Sequence, residues 1–357
     1  MISKDPSTDQ PTAVSVTLQE LKDGTVSLAT LEQAFGPDSL GIILVSDLPE
    51  RFAEMRKTLL SYSSYLANLS EEELVKCEKP EVQYNIGWSC GKETLGNGRF
   101  DTLKGSYYAQ VLHDEALEAK ARELYPNLGA MTGSNVWPDE KVLPGFRKAY
   151  EDLCLLIVDV ASLVARSCDR YGAAKLEGYE TGTLEKIVKT SISTKARLLH
   201  YFPPPTTAAE DSSDDGWCAT HLDLGALTGL TSQMFVDEAI HKPFSADGSF
   251  APLTEMDAHP DPSAGLWIKD RSGKTTQVDI PRDCLGFQTG RALELITQGK
   301  FKAVPHFVRG ARASKAGSIA RNTLAVFTQP NLWDMVDEKR DFATLAQEVF
   351  AATYEKK

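Results

Sequence analysis

Apolar residues change their spacing part-way along this chain. Leu40-Gly41-Ile42-Ile43-Leu44-Val45 is a short apolar run after the turn Gly36-Pro37-Asp38, which predicts a buried strand. Asp47 is placed to cap a helix with Pro49 in its first turn. Phe52, Met55, Leu59, Leu60, Leu66 and Leu69 then recur at helical spacing and give that helix one apolar face. From about 78 to 142 the chain keeps no period and is rich in Gly, Pro and aromatics. A second helix is predicted from about Pro144 to Ser167. Leu153, Leu155, Leu156, Val158, Val160 and Leu163 make it apolar nearly all round, so it should be buried.

From 194 onward short β-rich runs take over, separated by turns. They are Ala196–Phe202, Leu224–Phe235, Gly265–Lys269, Thr275–Ile280, Cys284–Thr289, Leu293–Ile296, Ala303–Val308 and Thr323–Thr328. Many short strands without helices between them predict an antiparallel double-sheet barrel of the jelly-roll or cupin type. Leu345–Tyr354 reads as a closing helix. The expected class is α+β with a mainly β core. A disordered arm covers 1–12, a helical and irregular region packs on the barrel over 13–193, the barrel spans 194–335, and a C-terminal helix fills 336–357. Asp237 to Pro262, rich in Pro and Asp, reads as a loop inserted into the barrel, and Ala208–Asp215 as an exposed acidic loop.

Composition narrows the partners. The chain has 357 residues, enough for a sizeable core, with 42% apolar and 25% charged residues as in ordinary soluble enzymes. A net charge of −12 argues against nucleic acid or an anionic membrane as the main partner, so an anionic small molecule must be captured by particular Arg or Lys residues. Six scattered cysteines without C-x-x-C spacing read as reduced thiols. The opening Met1–Thr8 has no apolar stretch and no run approaches membrane-spanning length, which predicts a cytoplasmic protein.

His221-Leu222-Asp223 follows a Pro-rich turn and precedes an apolar run, and the chain later supplies His306 within Ala303–Val308. Two imidazoles and one carboxylate are the set that leaves half of an octahedral metal open, as in non-haem Fe(II) oxygenases. A His and an Asp at i and i+2 on a strand point to one face, so both can reach one ion. An H-x-D alone arises by chance in a chain this long; its weight comes from what accompanies it. Arg321 and Thr323 alternate onto one face of a predicted strand, and a guanidinium beside a hydroxyl suits the remote carboxylate of a keto acid. Zinc hydrolases also use two histidines and a carboxylate, but no H-E-x-x-H helix is present. A barrel that only binds its ligand gives no reason for Arg-x-Thr beside a complete metal triad.

These pieces, in this order, resemble the Fe(II)/2-oxoglutarate dioxygenases of the isopenicillin N synthase-like (clavaminate synthase-like) group. Arg197–Pro204 is similar to that group's strand entering the Tyr-Pro turn, and His221-x-Asp223 with Gly225 and Leu227-Thr228 to its first ligand pair. Leu293–His306 is similar to the segment delivering the distal histidine, Arg321-x-Thr323 to its Arg-x-Ser, and Asp101–Tyr108 to its N-terminal Asp-x-Lys-Glu element. The resemblance implies a double-stranded β-helix, Fe(II) at His221, Asp223 and His306, and 2-oxoglutarate held by Arg321, Thr323 and Tyr201. It implies O2 as second cosubstrate, with succinate and CO2 released as a C–H bond is hydroxylated, desaturated or closed into a ring. The alternative inside the same group is an oxidase that needs no keto acid. Trp88, Lys104 and Tyr107 offer an apolar face, a cation and a hydroxyl for a small metabolite, such as an amino acid or a secondary-metabolite intermediate. The segment Tyr84–Tyr108 and the insertion are expected to cover the mouth of the barrel.

Overall fold

The computed structural model describes residues 12–92, 100–204, 218–240, 250–257, 261–270, 273–312, 315 and 317–354. The expected arm up to residue 11, the acidic tract Ala208–Asp215 and part of the expected insertion lie outside these residues. The strands are β1 Val14–Thr17, β2 Ile42–Ser46, β3 Gly87–Cys90, β4 Lys104–Gln110, β5 Lys195–Tyr201, β6 Cys218–His221, β7 Leu227–Thr231, β8 Met234–Asp237, β9 Gly265–Lys269, β10 Thr275–Val278, β11 Leu285–Thr289, β12 His306–Arg309 and β13 Ile319–Thr328. The helices are α1 Leu18–Asp23, α2 Leu28–Phe35, α3 Arg51–Ala67, α4 Glu71–Lys76, α5 Glu115–Leu124, α6 Gly129–Thr132, α7 Phe146–Lys175, α8 Thr183–Thr190, α9 Arg291–Ile296 and α10 Phe342–Tyr354.

Two sheets form the core. The larger has nine strands in the order β1-β2-β11-β7-β13-β5-β4-β3, with β8 also on β13; the smaller runs β10-β9-β12-β6. Strand β13 is the spine of the larger sheet. One edge pairs with β5 from Arg321↔Tyr201 to Phe327↔Lys195, and the other pairs first with β8 and then with β7. The two sheets exchange no strand-to-strand hydrogen bonds among the described residues, so they face one another without closing into a barrel. Period-two alternation sorts β13: Arg321, Thr323, Ala325 and Phe327 face a cavity between the sheets, while the buried Asn322, Leu324 and Val326 face the helices.

Helices α3 and α7 cover the outer face of the large sheet, and most of the core lies between them and it. The contact is close enough that polar groups bridge it. Tyr150 donates to the Ala196 carbonyl (2.7 Å), Ser63 to the Leu199 carbonyl (3.0 Å) and Asn322 Nδ2 to Ser64 Oγ (2.8 Å). At Gly229 a Cβ would lie 2.4 Å from Ile157 Cγ2, so only glycine lets α7 cross β7 at this distance. No helix among the described residues is long and apolar enough to cross a membrane.

Several local expectations are corrected. The N-terminal region is helical but also supplies β1 and β2 to one end of the large sheet and β3 and β4 to the other. Asp47 does not cap the first long helix; it takes a left-handed turn (φ 55°) and the helix begins at Arg51. Helix α7 continues two turns past Ser167 because Cys168, Tyr171 and Gly172 remain buried. Leu224–Phe235 is broken at Ser232-Gln233 into β7 and β8, since the two halves pair with different stretches of β13. Leu293–Ile296 is helical, not extended. Its alternating pattern is overridden by backbone bonds from Arg291 N to the Asp223 carbonyl (2.8 Å) and from Ala292 N to Leu224 and Gly225 (3.1 Å), which start α9 against the turn after β6.

Candidate metal centre

His221 is the last residue of β6 and His306 the first of β12, and the two are direct cross-strand partners. Their rings stand 4.3 Å apart at 54°. The i, i+2 spacing predicted one strand carrying both His221 and Asp223, but Asp223 does not share the strand. It lies beyond it, in the turn crossing from the small sheet to the large one. Two close approaches shape this turn. A Cβ on Gly290 would lie 2.2 Å from the Gly225 carbonyl, and one on Gly225 would lie 2.7 Å from the Thr328 carbonyl.

The three donors converge. His221 Nε2 is 3.6 Å and His306 Nε2 3.7 Å from the same Asp223 oxygen, Oδ1. Each imidazole is oriented from behind. His221 Nδ1 lies 2.8 Å from the Ala219 carbonyl and His306 Nδ1 3.2 Å from that of Val304, so both Nδ1 atoms donate and both Nε2 atoms face inward. The buried Thr228 hydroxyl donates to Asp223 Oδ2 at 2.6 Å and turns Oδ1 toward the histidines. Among the described residues this is the one group of His, Cys, Asp or Glu side chains close enough to hold an ion. The set fits a divalent cation with open positions.

The electrostatics agree. Burial works against a charge on His221, but hydrogen bonds with Asp223 and Cys218 outweigh it and raise the imidazole to about 11. Burial also opposes the charge on Asp223, yet His306, His221 and Thr228 bring the carboxyl down to about 2. His306 is lowered, chiefly by burial. The metal-free site is therefore a carboxylate beside an imidazolium, and a bound cation would take the place of that proton.

The second half of the site lies on the facing large sheet, across the same cavity. Arg321 is 5% exposed; its Nε donates to Gln233 Oε1 at 2.8 Å, and its guanidinium sits 4.8 Å from the centre of the Tyr201 ring. Tyr201 is its cross-strand partner, and Thr323 follows two residues on; all three line the cavity with the metal triad. Sequence reasoning missed Gln233, which aims the guanidinium, Arg197, whose Nε and Nη2 reach Ser106 Oγ at 3.1 and 2.8 Å, and the role of Thr228. Only Thr228 left a signal, as a hydroxyl inside the first ligand segment.

The residues expected at the substrate are not brought to this cavity. Trp88 and Tyr107 face the helix side of the sheet. The Trp88 ring lies over Gly105, and Tyr107 donates to the Val136 carbonyl and packs edge-on against Phe146 and Tyr150. Lys104 is buried on the other face, opposite Tyr201 in register and paired with Asp101 at 2.9 Å, but outside the cavity lining. The described part of the insertion packs on α3, with Phe250 stacked on Tyr62 at 3.8 Å and Glu255 paired with Arg56 at 2.8 Å.

No protein-family model matches the chain, and no curated protein matches it in sequence. Solved structures do. A Caulobacter crescentus protein assigned to the 2OG-Fe(II) oxygenase family superposes with a TM-score of 0.66 at 18% identity, over 96% of this chain and 99% of that one. A full-length Neurospora crassa protein in complex with alpha-KG and thymine gives 0.63 at 16%, over 98% and 100%. The rice dioxygenase for auxin oxidation gives 0.58 at 14%, over 96% of each chain. This chain has the 2OG-Fe(II) oxygenase fold. His221, His306 and Arg321 stand on its strands and Asp223 in the turn after β6, and all four line one cavity.

Proposed function

We propose that this protein is a non-haem Fe(II)/2-oxoglutarate-dependent oxygenase that oxidises a C–H bond of a small metabolite, releasing succinate and CO2. The observation that carries this reading is one cavity holding both a complete His221–Asp223–His306 triad and a buried guanidinium. The two facing sheets are read as the double-stranded β-helix of the fold. Iron bound at the triad would supply the activation of O2. Arg321 binds the far carboxylate of the keto acid, Thr323 adds a hydroxyl donor, and Tyr201 flanks the guanidinium. Thr228 holds the Asp223 carboxylate in its ligating rotamer. Leu199, Leu230, Leu266, Val308 and Phe327 line the same space and exclude water from the reacting groups. A small-molecule substrate accords with thymine in the Neurospora relative. Hydroxylation, desaturation and ring closure are the outcomes open to such a site.

Anaerobic addition of Fe(II) and 2-oxoglutarate should produce the visible charge-transfer band of a metal-chelated keto acid. Arg321→Ala should weaken 2-oxoglutarate binding by roughly 10- to 150-fold, the equivalent of about 1.5–3 kcal/mol for a lost charge-assisted bond. Absence of the band, with no succinate formed under air, would remove the keto acid from the reaction.

A further inference from the structure

One wall of the cavity carries a side chain that neither the metal nor the keto acid calls for. Gln288, on β11, is 0% exposed and lines the cavity, and neither its Oε1 nor its Nε2 has a hydrogen-bond partner among the described residues. A buried polar group left unsatisfied forfeits its hydration without a replacement partner, and native folds carry few of them. The side chain is well placed. Gln288 is the cross-strand partner of Thr228, so both leave the sheet on the same face, with Gln288 beside the hydroxyl that fixes Asp223.

The surroundings restrict what it could bind. Leu230, Leu266, Val278 and Ile280 line the cavity as well, with the exposed Asp279 between the last two, so this side presents one buried carboxamide among mainly apolar groups. The cavity's guanidiniums stand on β13 and β5, two and three strands away, roughly 10–15 Å at ordinary strand spacing. An anionic group would be drawn toward them. The complement of a carboxamide with both ends open is a neutral group carrying a donor next to an acceptor.

We propose that Gln288 is the specificity-determining residue of this site and reads the edge of a neutral cyclic amide or imide on the substrate. The substrate N–H donates to Oε1 and its C=O accepts from Nε2. This rests on the oxygenase reading only in taking the bound molecule to be the substrate. A site built to pair such an edge discriminates strongly against an analogue lacking the donor, because its own buried groups are then left unpaired.

Two measurements on wild type and Gln288→Met test it. In ligand-free, metal-free protein the apolar replacement should raise the thermal midpoint by about 2 °C, since an unsatisfied amide is removed. A fall would mean that the amide already has a structural partner, such as a buried water, and would overturn the proposal. Calorimetric titration of Mn(II)-loaded protein with 2-oxoglutarate present should show glutarimide binding at least tenfold more tightly than N-methylglutarimide. Gln288→Met should bind the two alike. Equal binding by wild type, or a preference that survives in Gln288→Met, would overturn it. Failure of 2-oxoglutarate itself to bind would count against the oxygenase reading instead, and the same titrations with Mn(II) alone would still decide the role of Gln288.

Discussion

Thr228→Val isolates the support behind the metal site. The substitution removes one hydroxyl, keeps the branched shape, and touches none of the three donors. The bond lost is short (2.6 Å), buried, and made to a carboxylate, so it belongs with charge-assisted hydrogen bonds worth about 1.5–3 kcal/mol. Without it, Asp223 Oδ2 faces an apolar methyl and the carboxyl can rotate away from the point where His221 and His306 converge. If that free energy is expressed at the metal, Fe(II) affinity should fall roughly 10- to 100-fold, the usual range for a group that orients a ligand. Anaerobic competition against a chelator of known affinity measures it directly, with thermal unfolding of the apoprotein alongside. Thr228→Ser should keep most of the affinity. Unchanged metal affinity in the Val variant, with its fold intact, would refute the claim that this hydroxyl sets the carboxylate.

Gly229→Ala should destabilise the fold by about 1–3 kcal/mol or more, because its Cβ would meet Ile157 Cγ2 at 2.4 Å and push α7 off β7; a chemical denaturation curve matching wild type would contradict this crossing. His200, buried against Asn322, is depressed to about 4 from an ordinary 6.5, so as pH falls from 6.5 toward 4 the unfolded chain gains a proton that the folded chain refuses. Stability should therefore drop by up to about 3 kcal/mol across that window, partly offset by Glu238, raised by burial and 3.7 Å away. Urea midpoints at pH 7 and 4.5 should differ less in His200→Gln than in wild type, and an identical difference would reject His200 as the source.

The candidate metal donors His221, Asp223 and His306, with Arg321 and Thr323 at the same cavity, were legible in the sequence because the proposed chemistry depends on residue type and order, which the chain carries explicitly. Short apolar and β-rich runs between turns likewise exposed most strands, since a strand buried on one or both faces must show it in its own residues. Other features were decided only by tertiary structure. Leu293–Ile296 alternates like a strand yet is helical because the turn at Asp223–Gly225 takes its first N–H groups. Trp88 and Tyr107 sit in a segment without a period, and nothing local says which face of the sheet they take; β4 is set by its pairing with β5, which sends Tyr107 toward the helices and Lys104 the other way. Asp223 reaches the candidate metal site by a turn rather than by strand alternation, and that turn depends on Gly225 and Gly290 approaching distant backbone. Gln233 and Gln288 have no signature at all, because an amide becomes a site residue only when long-range strand pairing turns it toward a shared cavity. Residue chemistry is a property of one position, whereas facing and convergence are properties of pairs far apart in the chain, and only the folded sheet brings those pairs together.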